Sequence, residues 1–371
     1  MKLKRLQLID YRNCESINLD FDKNKALIIG KNAQGKTNIL ESIYFLSTLK
    51  TPRTSNIVEL INFNKEYFKI EADIIKADTD IDLLYAYTQD KKKEIKVNGT
   101  KTSTKDFKSV LKTVLFSTTD LLLLRGTPQD RRDWLDRAIC QIYPAYDDRL
   151  TKYEKIRIQK NNFLKESAKT GAMNESLLEV FNEQLSVTGS NIIYIRKKFL
   201  KEIEKLAKEK HQTISETEEL SIKYDCSFLG INNEIESIED IQYKFLEALD
   251  ERKLEEIRRC QACVGPHRDD IIFYINNQES TKFASQGQQR TIVLALKLSE
   301  LDIITDKTGD EPILLLDDVL AELDDLRQNY LLKSINKNTQ TIITSVDTLL
   351  FEDEFLKDVS IFKIENGHII E

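Results

Sequence analysis

The chain has 371 residues, 40% of them hydrophobic and 32% charged, enough for a large core and for two structural units of a soluble globular protein with well-solvated helices. Its formal net charge of −7 excludes coating of nucleic acid by bulk charge, so any DNA contact needs a local basic groove or one formed by two subunits. The N-terminus lacks a signal-peptide stretch and no run is long enough to span a bilayer, so a cytoplasmic location without a membrane partner is expected.

From the start to about Thr118 the pattern is that of strands. Leu6 and Leu8, then Ile17, Leu19 and Phe21, predict two antiparallel strands joined near Tyr11-Arg12-Asn13. Ala26-Leu27-Ile28-Ile29 is wholly apolar, as a strand buried on both faces must be. Further strands are expected at 68–75, 82–88 and 94–97, with Asn98-Gly99 as a hairpin turn.

Directly after the Ala26–Ile29 strand comes Gly30-Lys31-Asn32-Ala33-Gln34-Gly35-Lys36-Thr37, followed by Asn38 and a helix with Ile39, Leu40, Ile43 and Leu46 on one face. This is GxxxxGK[ST] in its strand–loop–helix context, a phosphate loop. Its backbone N–H groups form an anion-binding concavity, and Gly30 and Gly35 allow close backbone approach. Lys36 is expected to neutralise the β- and γ-phosphates of ATP, and Thr37 to bind Mg²⁺ through its hydroxyl.

The middle of the chain becomes helical. Thr127-Pro128 is a helix start, and Trp134, Leu135, Ala138, Ile139 and Ile142 follow at helical spacing. A helix over about 146–165 presents Leu150, Tyr153, Ile156 and Phe163; a polar loop at 167–174 containing Gly171 reverses the chain. Leu178, Phe181, Leu185, Thr188, Ile192, Ile195, Phe199, Ile203 and Leu206 then form a coiled-coil seam of about four heptads. That predicts a helical hairpin about 40 Å long at 1.5 Å per residue. The basic run Arg196-Lys197-Lys198 reads as a solvated helix face.

Strand signals return after about Glu255. The five cysteines form no disulfide framework, and Cys260-x-x-Cys263 with His267 is only half a zinc site with no second pair, so two small semi-buried residues are expected. Ile313-Leu314-Leu315-Leu316 followed by Asp317 and Asp318 describes a buried parallel strand ending in acids, a Walker B strand. Asp317 is the expected Mg²⁺ ligand, and Asp318, next to it, the group that orients the attacking water. Its carboxylate is one methylene shorter than the Glu usual in ABC-type ATPases, which implies slow hydrolysis.

Ser285-Gln286-Gly287-Gln288-Gln289-Arg290, leading into an apolar helix over 292–304, resembles the signature motif of ABC-type ATPases in its DNA-repair branch. Ser285, Gly287 and the helix N-terminus are donors suited to a γ-phosphate, which in that class is bound by the opposite subunit. The resemblance also gives Lys36, Asp318, Ser285 and Gln288 catalytic roles. Asp324, in Ala321-Glu322-Leu323-Asp324, then stands as a D-loop residue, and Ser345 at the switch position. Both halves of the site lie in one chain, so an ATP-dependent two-fold homodimer follows.

Asp10-Tyr11-Arg12-Asn13, the loop with its extension to Ile43, and Arg131-Arg132-Asp133-Trp134-Leu135-Asp136 add a finer likeness. With Gly265-Pro266-His267-Arg268-Asp269-Asp270 and the 316–324 block, they make the chain similar to the RecF family from end to end. Gln34 and Thr118-Thr119 depart from the usual family residues, Gly and Pro-Glu. The resemblance implies an α/β fold: an ABC-type ATPase head with mixed sheets and a P-loop, plus an inserted α-helical hairpin domain. The head is expected at 1–118 and 256–371 and the helical arm at 119–255, with a strand near 220–226 that would rejoin the head. It also implies ATP-dependent binding of double-stranded or gapped DNA, weak ATPase activity, and support of RecA loading with RecR and RecO. Arg12 and Arg268 are candidate phosphate or DNA contacts, with an internal salt bridge to a nearby Asp as the alternative for each. An SMC or Rad50-type head would carry a far longer coiled coil, whereas only 248 positions separate Thr37 from Ser285 here. A transporter ATPase would have a shorter gap and a switch His, and a nucleotide-gated scaffold would not need all of Lys36, Thr37, Asp317 and Asp318.

Overall fold

The computed structural model describes residues 1–231, 237–335 and 338–370. The first stretch runs β1 (Lys2–Tyr11), β2 (Cys14–Asp20), β3 (Lys25–Ile29), α1 (Lys36–Thr48), β4 (Tyr67–Lys76), β5 (Thr79–Thr88), β6 (Lys93–Val97), β7 (Thr100–Lys101), α2 (Thr104–Val110) and β8 (Thr113–Ser117). The middle holds α3 (Leu122–Arg125), α4 (Pro128–Ile142), α5 (Pro144–Thr170), α6 (Glu175–Ser215), β9 (Leu220–Asp225), α7 (Ile238–Glu251), α8 (Lys253–Arg259), β10 (Asp270–Ile275), β11 (Gln278–Glu279) and α9 (Ser280–Phe283). The last stretch comprises α10 (Gln286–Thr308), β12 (Ile313–Asp317), α11 (Asp325–Ser334), β13 (Thr341–Ser345), α12 (Asp353–Lys357), β14 (Val359–Glu365) and β15 (His368–Ile370). Two compact units result, Met1–Asp120 with Leu296–Glu371, and Leu121–Ala295.

The first unit contains two six-stranded sheets. One is antiparallel, ordered β2-β1-β4-β5-β6-β7; the other, β15-β14-β3-β13-β12-β8, is parallel except for its β15 edge. The expected first hairpin forms with Leu6 opposite Leu19 and Leu8 opposite Ile17. β3 is apolar throughout its centre because β13 and β14 flank it on both sides in a covered parallel sheet. α1 inserts Ile39, Leu40, Ile43, Phe45 and Leu46, all fully buried, into a continuous core shared by both sheets. The Gln340 amide completes that joint: it accepts from the Leu3 N–H at 2.6 Å and donates to the Leu3 carbonyl at 2.8 Å.

The second unit is built on helices. Asp130 accepts from both the Thr127 N–H (2.6 Å) and hydroxyl (2.7 Å), fixing the start of α4. α5 and α6 form the expected hairpin, and Gly171 in the left-handed region ends α5. α6 extends for 41 residues, with Ile193, Leu200 and Ala207 buried as well as six of the nine seam residues, Phe181, Ile195 and Leu206 being half-buried, because α5, α7 and β9 all pack on it.

Three expectations require correction. The boundary near 255 falls inside the second unit, which continues to Ala295. β10 carries residues 270–275 into an antiparallel pairing with β9, so the strand near 220–226 stays with the helices. Arg196 is also not solvated. It is 3% exposed and its guanidinium donates to Asp136 (2.8 and 2.9 Å) and to the Pro266 carbonyl (2.7 Å). A guanidinium this deep persists only because a carboxylate and a carbonyl satisfy it. Lys198 alone of that run is exposed.

Candidate functional site

Register in the parallel sheet assembles the phosphate-loop end of the first unit. Ser345 lies opposite Ile29 and Thr344 opposite Asp317, so three strand ends meet at the carboxyl edge where the loop begins. This is the edge at which open α/β sheets place ligands. Gly30 donates its N–H to the Ser345 carbonyl at 3.3 Å. A Cβ on Gly30 would lie 2.4 Å from the Ile364 carbonyl oxygen, so the chain passes only as glycine. Gly35, at φ 110°, caps α1, and a Cβ there would meet Asn13 Oδ1 at 2.9 Å. Ala33 is also left-handed, at φ 66°, which with Gly35 curls the loop into a concavity of the kind that receives anions.

Within that curl, the Lys36 ammonium donates to the carbonyls of Gly30 (2.7 Å) and Lys31 (3.3 Å). Lys31 and Asn32 are exposed at the loop tip. Gln34 is tied to the β14–β15 turn: its carbonyl accepts from the Gly367 N–H at 3.0 Å and its side chain from the Asn366 N–H. Gln34 thus serves as a strut between loop and turn.

The Thr37 hydroxyl donates to Asp317 Oδ1 at 2.9 Å. The Thr344 hydroxyl lies 3.0 Å from the same oxygen, and it accepts from the Asp318 N–H at 2.9 Å. Burial pushes the Asp317 carboxyl above its ordinary value; the two hydroxyls pull it back, and the adjacent Asp318 pushes it up again. Asp318 sits in the left-handed region at φ 52°, which Asp tolerates better than most residues and which Thr344 holds in place. Two hard oxygen ligands 2.9 Å apart on a half-buried, acid-rich edge fit a small divalent cation such as Mg²⁺.

Asn38 donates to Asn13 Oδ1 at 2.7 Å and accepts from Arg53 at 2.9 Å. Arg12 makes a two-pronged pair with Glu41 at 2.7 and 2.8 Å. Its internal salt bridge is therefore with a Glu on α1, not with a nearby Asp. Asp324 is exposed and caps α11, accepting from the Arg327 N–H at 3.0 Å. The Ser345 side chain is buried at the end of β13.

The signature turn belongs to the second unit. Ser285 is exposed, its N–H donates to Gln288 Oε1 at 2.7 Å, and its hydroxyl accepts from the Gln288 N–H at 3.2 Å. This reciprocal capping box presents the hydroxyl at the N-terminus of α10, next to Gly287. Gln288 is steadied by a hydrogen bond to Glu218 at 2.8 Å. Arg268 is exposed in the same unit and donates to the Ala262 carbonyl at 3.3 Å. Cys260 takes the left-handed position after α8, and Cys263 Sγ donates to the Gln261 carbonyl at 3.4 Å.

Sequence reasoning passed over Thr344, Asn13 and Glu218. A polar residue ending a strand beside the Walker B strand was visible, but which of Thr344 and Ser345 faces Asp317 depends on register. Asn13 and Glu218 act through contacts to Asn38 and Gln288, on other segments, for which there is no local signal.

The family model described as RecF/RecN/SMC N-terminal domain matches residues 2–369. The chain is 38% identical over 373 residues to the DNA replication and repair protein RecF of Bacillus subtilis (strain 168), covering all of both chains. It is 41% identical over 376 residues to that of Staphylococcus carnosus (strain TM300), again over all of both. A solved structure of the recombination mediator protein RecF-ATP in the RecFOR pathway superposes with a TM-score of 0.91 at 35% identity, over 99% of this chain and 96% of the other. The Smc head bound to the C-winged helix domain of ScpA shares the fold alone, at 14% identity and a TM-score of 0.54 over 100% and 98% of the two chains. With this phosphate loop, acid-ended strand and signature turn on one chain that matches such relatives end to end, the protein belongs to the RecF family.

Proposed function

We propose that the protein is a slow ATPase that closes into a homodimer around ATP and, in that state, holds double-stranded or gapped DNA during replication and recombinational repair. The observation that carries this is the Thr37–Asp317–Thr344 cluster at the mouth of the phosphate loop. Lys36 and the loop N–H groups would bind the phosphates, with Gly30 to Asn38 as the cradle. Thr37 and Asp317 would hold Mg²⁺, which when bound offsets phosphate charge. Asp318, on its strained left-handed backbone, would orient the attacking water.

Support for dimerisation is the exposure of Ser285 on a capped helix N-terminus, where a hydroxyl and free N–H groups suit a γ-phosphate from a second subunit. Gln288 would keep that turn in shape, while Asp324 and Ser345 would take the D-loop and switch positions. The first unit would be the ATPase head and the second the helical arm. Relatives named for DNA replication and repair, and one described within the RecFOR pathway, support DNA as substrate and RecR and RecO as partners, with RecA loading downstream, in the cytoplasm. ATP then acts as a conditional ligand between subunits.

The test is Ser285→Arg. The variant should bind ATP with wild-type affinity and remain a monomer at concentrations where the wild type dimerises with ATP. Dimerisation retained by the variant would sink the trans arrangement.

A further inference from the structure

Two of the motifs that tie the chain to its family, Arg131–Asp136 and Gly265–Asp270, take no part in the nucleotide site. In the second unit they converge on one open cleft of about 560 Å³ between α4, α5, α6 and the segment preceding β10. That is the size range of small-ligand sites. Four guanidiniums line it, Arg132, Arg157, Arg196 and Arg268, against two carboxylates, Asp136 and Glu154.

The carboxylates are already committed. Asp136 takes Arg196 at 2.8 Å and the Tyr146 hydroxyl at 2.6 Å, and Glu154 pairs with Arg157 at 2.9 Å. Arg132 is 8% exposed, yet its hydrogen bonds go to neutral oxygens, the Asp269 carbonyl (2.5 Å) and Gln129 Oε1 (2.8 Å). Asp269's own carboxylate is taken by the Tyr224 hydroxyl at 2.5 Å and the Ser227 N–H at 2.8 Å. Arg268 likewise donates to a carbonyl. Burial first, and then the nearby Arg196 charge, push the Arg132 guanidinium below its ordinary value. His267 adds no charge: its pKa is driven down to about 3, chiefly by burial, and its ring nitrogens meet the Tyr153 hydroxyl at 2.7 Å and the Ala262 carbonyl at 3.2 Å.

A cleft with surplus, half-desolvated guanidiniums is stabilised by an oxyanion, which guanidiniums grip in two-pronged geometry. We propose that this cleft is an oxyanion site that takes a phosphate group, with Arg132 and Arg268, whose hydrogen bonds go to neutral oxygens, as its charged donors and Arg157, already paired with Glu154, lining it beside them. A DNA strand and free phosphate present the same chemistry. The DNA source rests on the proposed function, whereas the oxyanion site does not. It would supply the local basic groove that a chain of net charge −7 needs for DNA.

The experiment uses the full chain saturated with a non-hydrolysable ATP analogue, so that the phosphate loop is filled. Arg268→Gln and the double variant Arg157→Gln/Arg268→Gln are compared with Arg258→Gln/Arg259→Gln, an exposed control with the same charge change as the double variant. Unaltered Trp134 fluorescence and analogue affinity verify folding; the single variant, at an exposed side chain, serves if the double one fails to fold. On gapped duplex DNA, the double variant should lose roughly tenfold in affinity, with a log–log salt slope shallower by about one, while the control stays within about twofold. In parallel, inorganic phosphate should raise the melting temperature of the wild type above chloride at equal ionic strength, and should not do so for the double variant. A lost phosphate response with unchanged DNA affinity assigns the site to free phosphate. A phosphate response in a wild type that binds no DNA keeps the site and removes the proposed function. Double-variant behaviour matching wild type in both arms overturns the site.

Discussion

Asp317 and Asp318 are adjacent in sequence but differ in surroundings. Asp317 is enclosed by the Thr37 and Thr344 hydroxyls, whereas Asp318 is turned by its left-handed backbone away from the strand direction. Asp318→Asn should therefore keep ATP·Mg²⁺ binding and ATP-dependent dimerisation while turnover falls on the order of 100-fold or more, the usual weight of a positioned base. Phosphate release in single-turnover assays checks this, and undiminished release would remove Asp318 from the chemistry. His267 yields a second residue-scale expectation. Folded, it stays neutral down to about pH 3; unfolded, it takes a proton near its ordinary pKa of about 6.5. Between those values the unfolded chain binds the extra proton, so stability is present above about pH 6.5 and is lost as pH falls. By pH 5 the loss is about 2 kcal/mol. His267→Gln should flatten the pH dependence of urea unfolding between 7.5 and 5, followed through Trp134, the chain's single tryptophan, which is buried in the second unit. A slope that persists in the variant would place the dependence elsewhere.

At the scale of elements, α4 and α6 are joined by the buried Arg196–Asp136 pair, which Tyr146 and Pro266 complete. Arg196→Met should destabilise the second unit by about 3–5 kcal/mol, because it strands a buried carboxylate, and Asp136→Asn in the same chain should recover part of the loss. Trp134-monitored urea midpoints of the two single variants and the double variant test this; strictly additive losses would show that the two side chains are not coupled. Arg196 also marks where sequence reading fails. Its place in a basic run suggested solvent, since the partners that bury it come from 60 residues upstream and 70 downstream. By contrast β1, β2 and β3, the α5–α6 hairpin and the start of α4 were legible, because each follows from apolar period or cap chemistry within a few residues. β9 was legible as a strand but not in its allegiance, since strand pairing is a long-range choice that β10 alone decides.

For the whole molecule, the phosphate loop was read from eight consecutive residues, yet the cluster that gives it meaning spans Thr37, Asp317 and Thr344, brought together by the order β3-β13-β12 in the parallel sheet. Ser285 lies in the other compact unit, immediately before α10. On the proposed function a single chain would carry both a phosphate cradle and a γ-phosphate donor turn, the composition of a symmetric pair in which each copy completes the other. The most direct measurement is the solution mass of the full chain together with its affinity for gapped duplex DNA, with and without ATP·Mg²⁺. A monomer without ATP should become a dimer with it, and DNA affinity should rise by an order of magnitude or more in the same titration. A dimer that forms with ATP yet leaves DNA affinity unchanged, or DNA binding indifferent to ATP, would contradict the account.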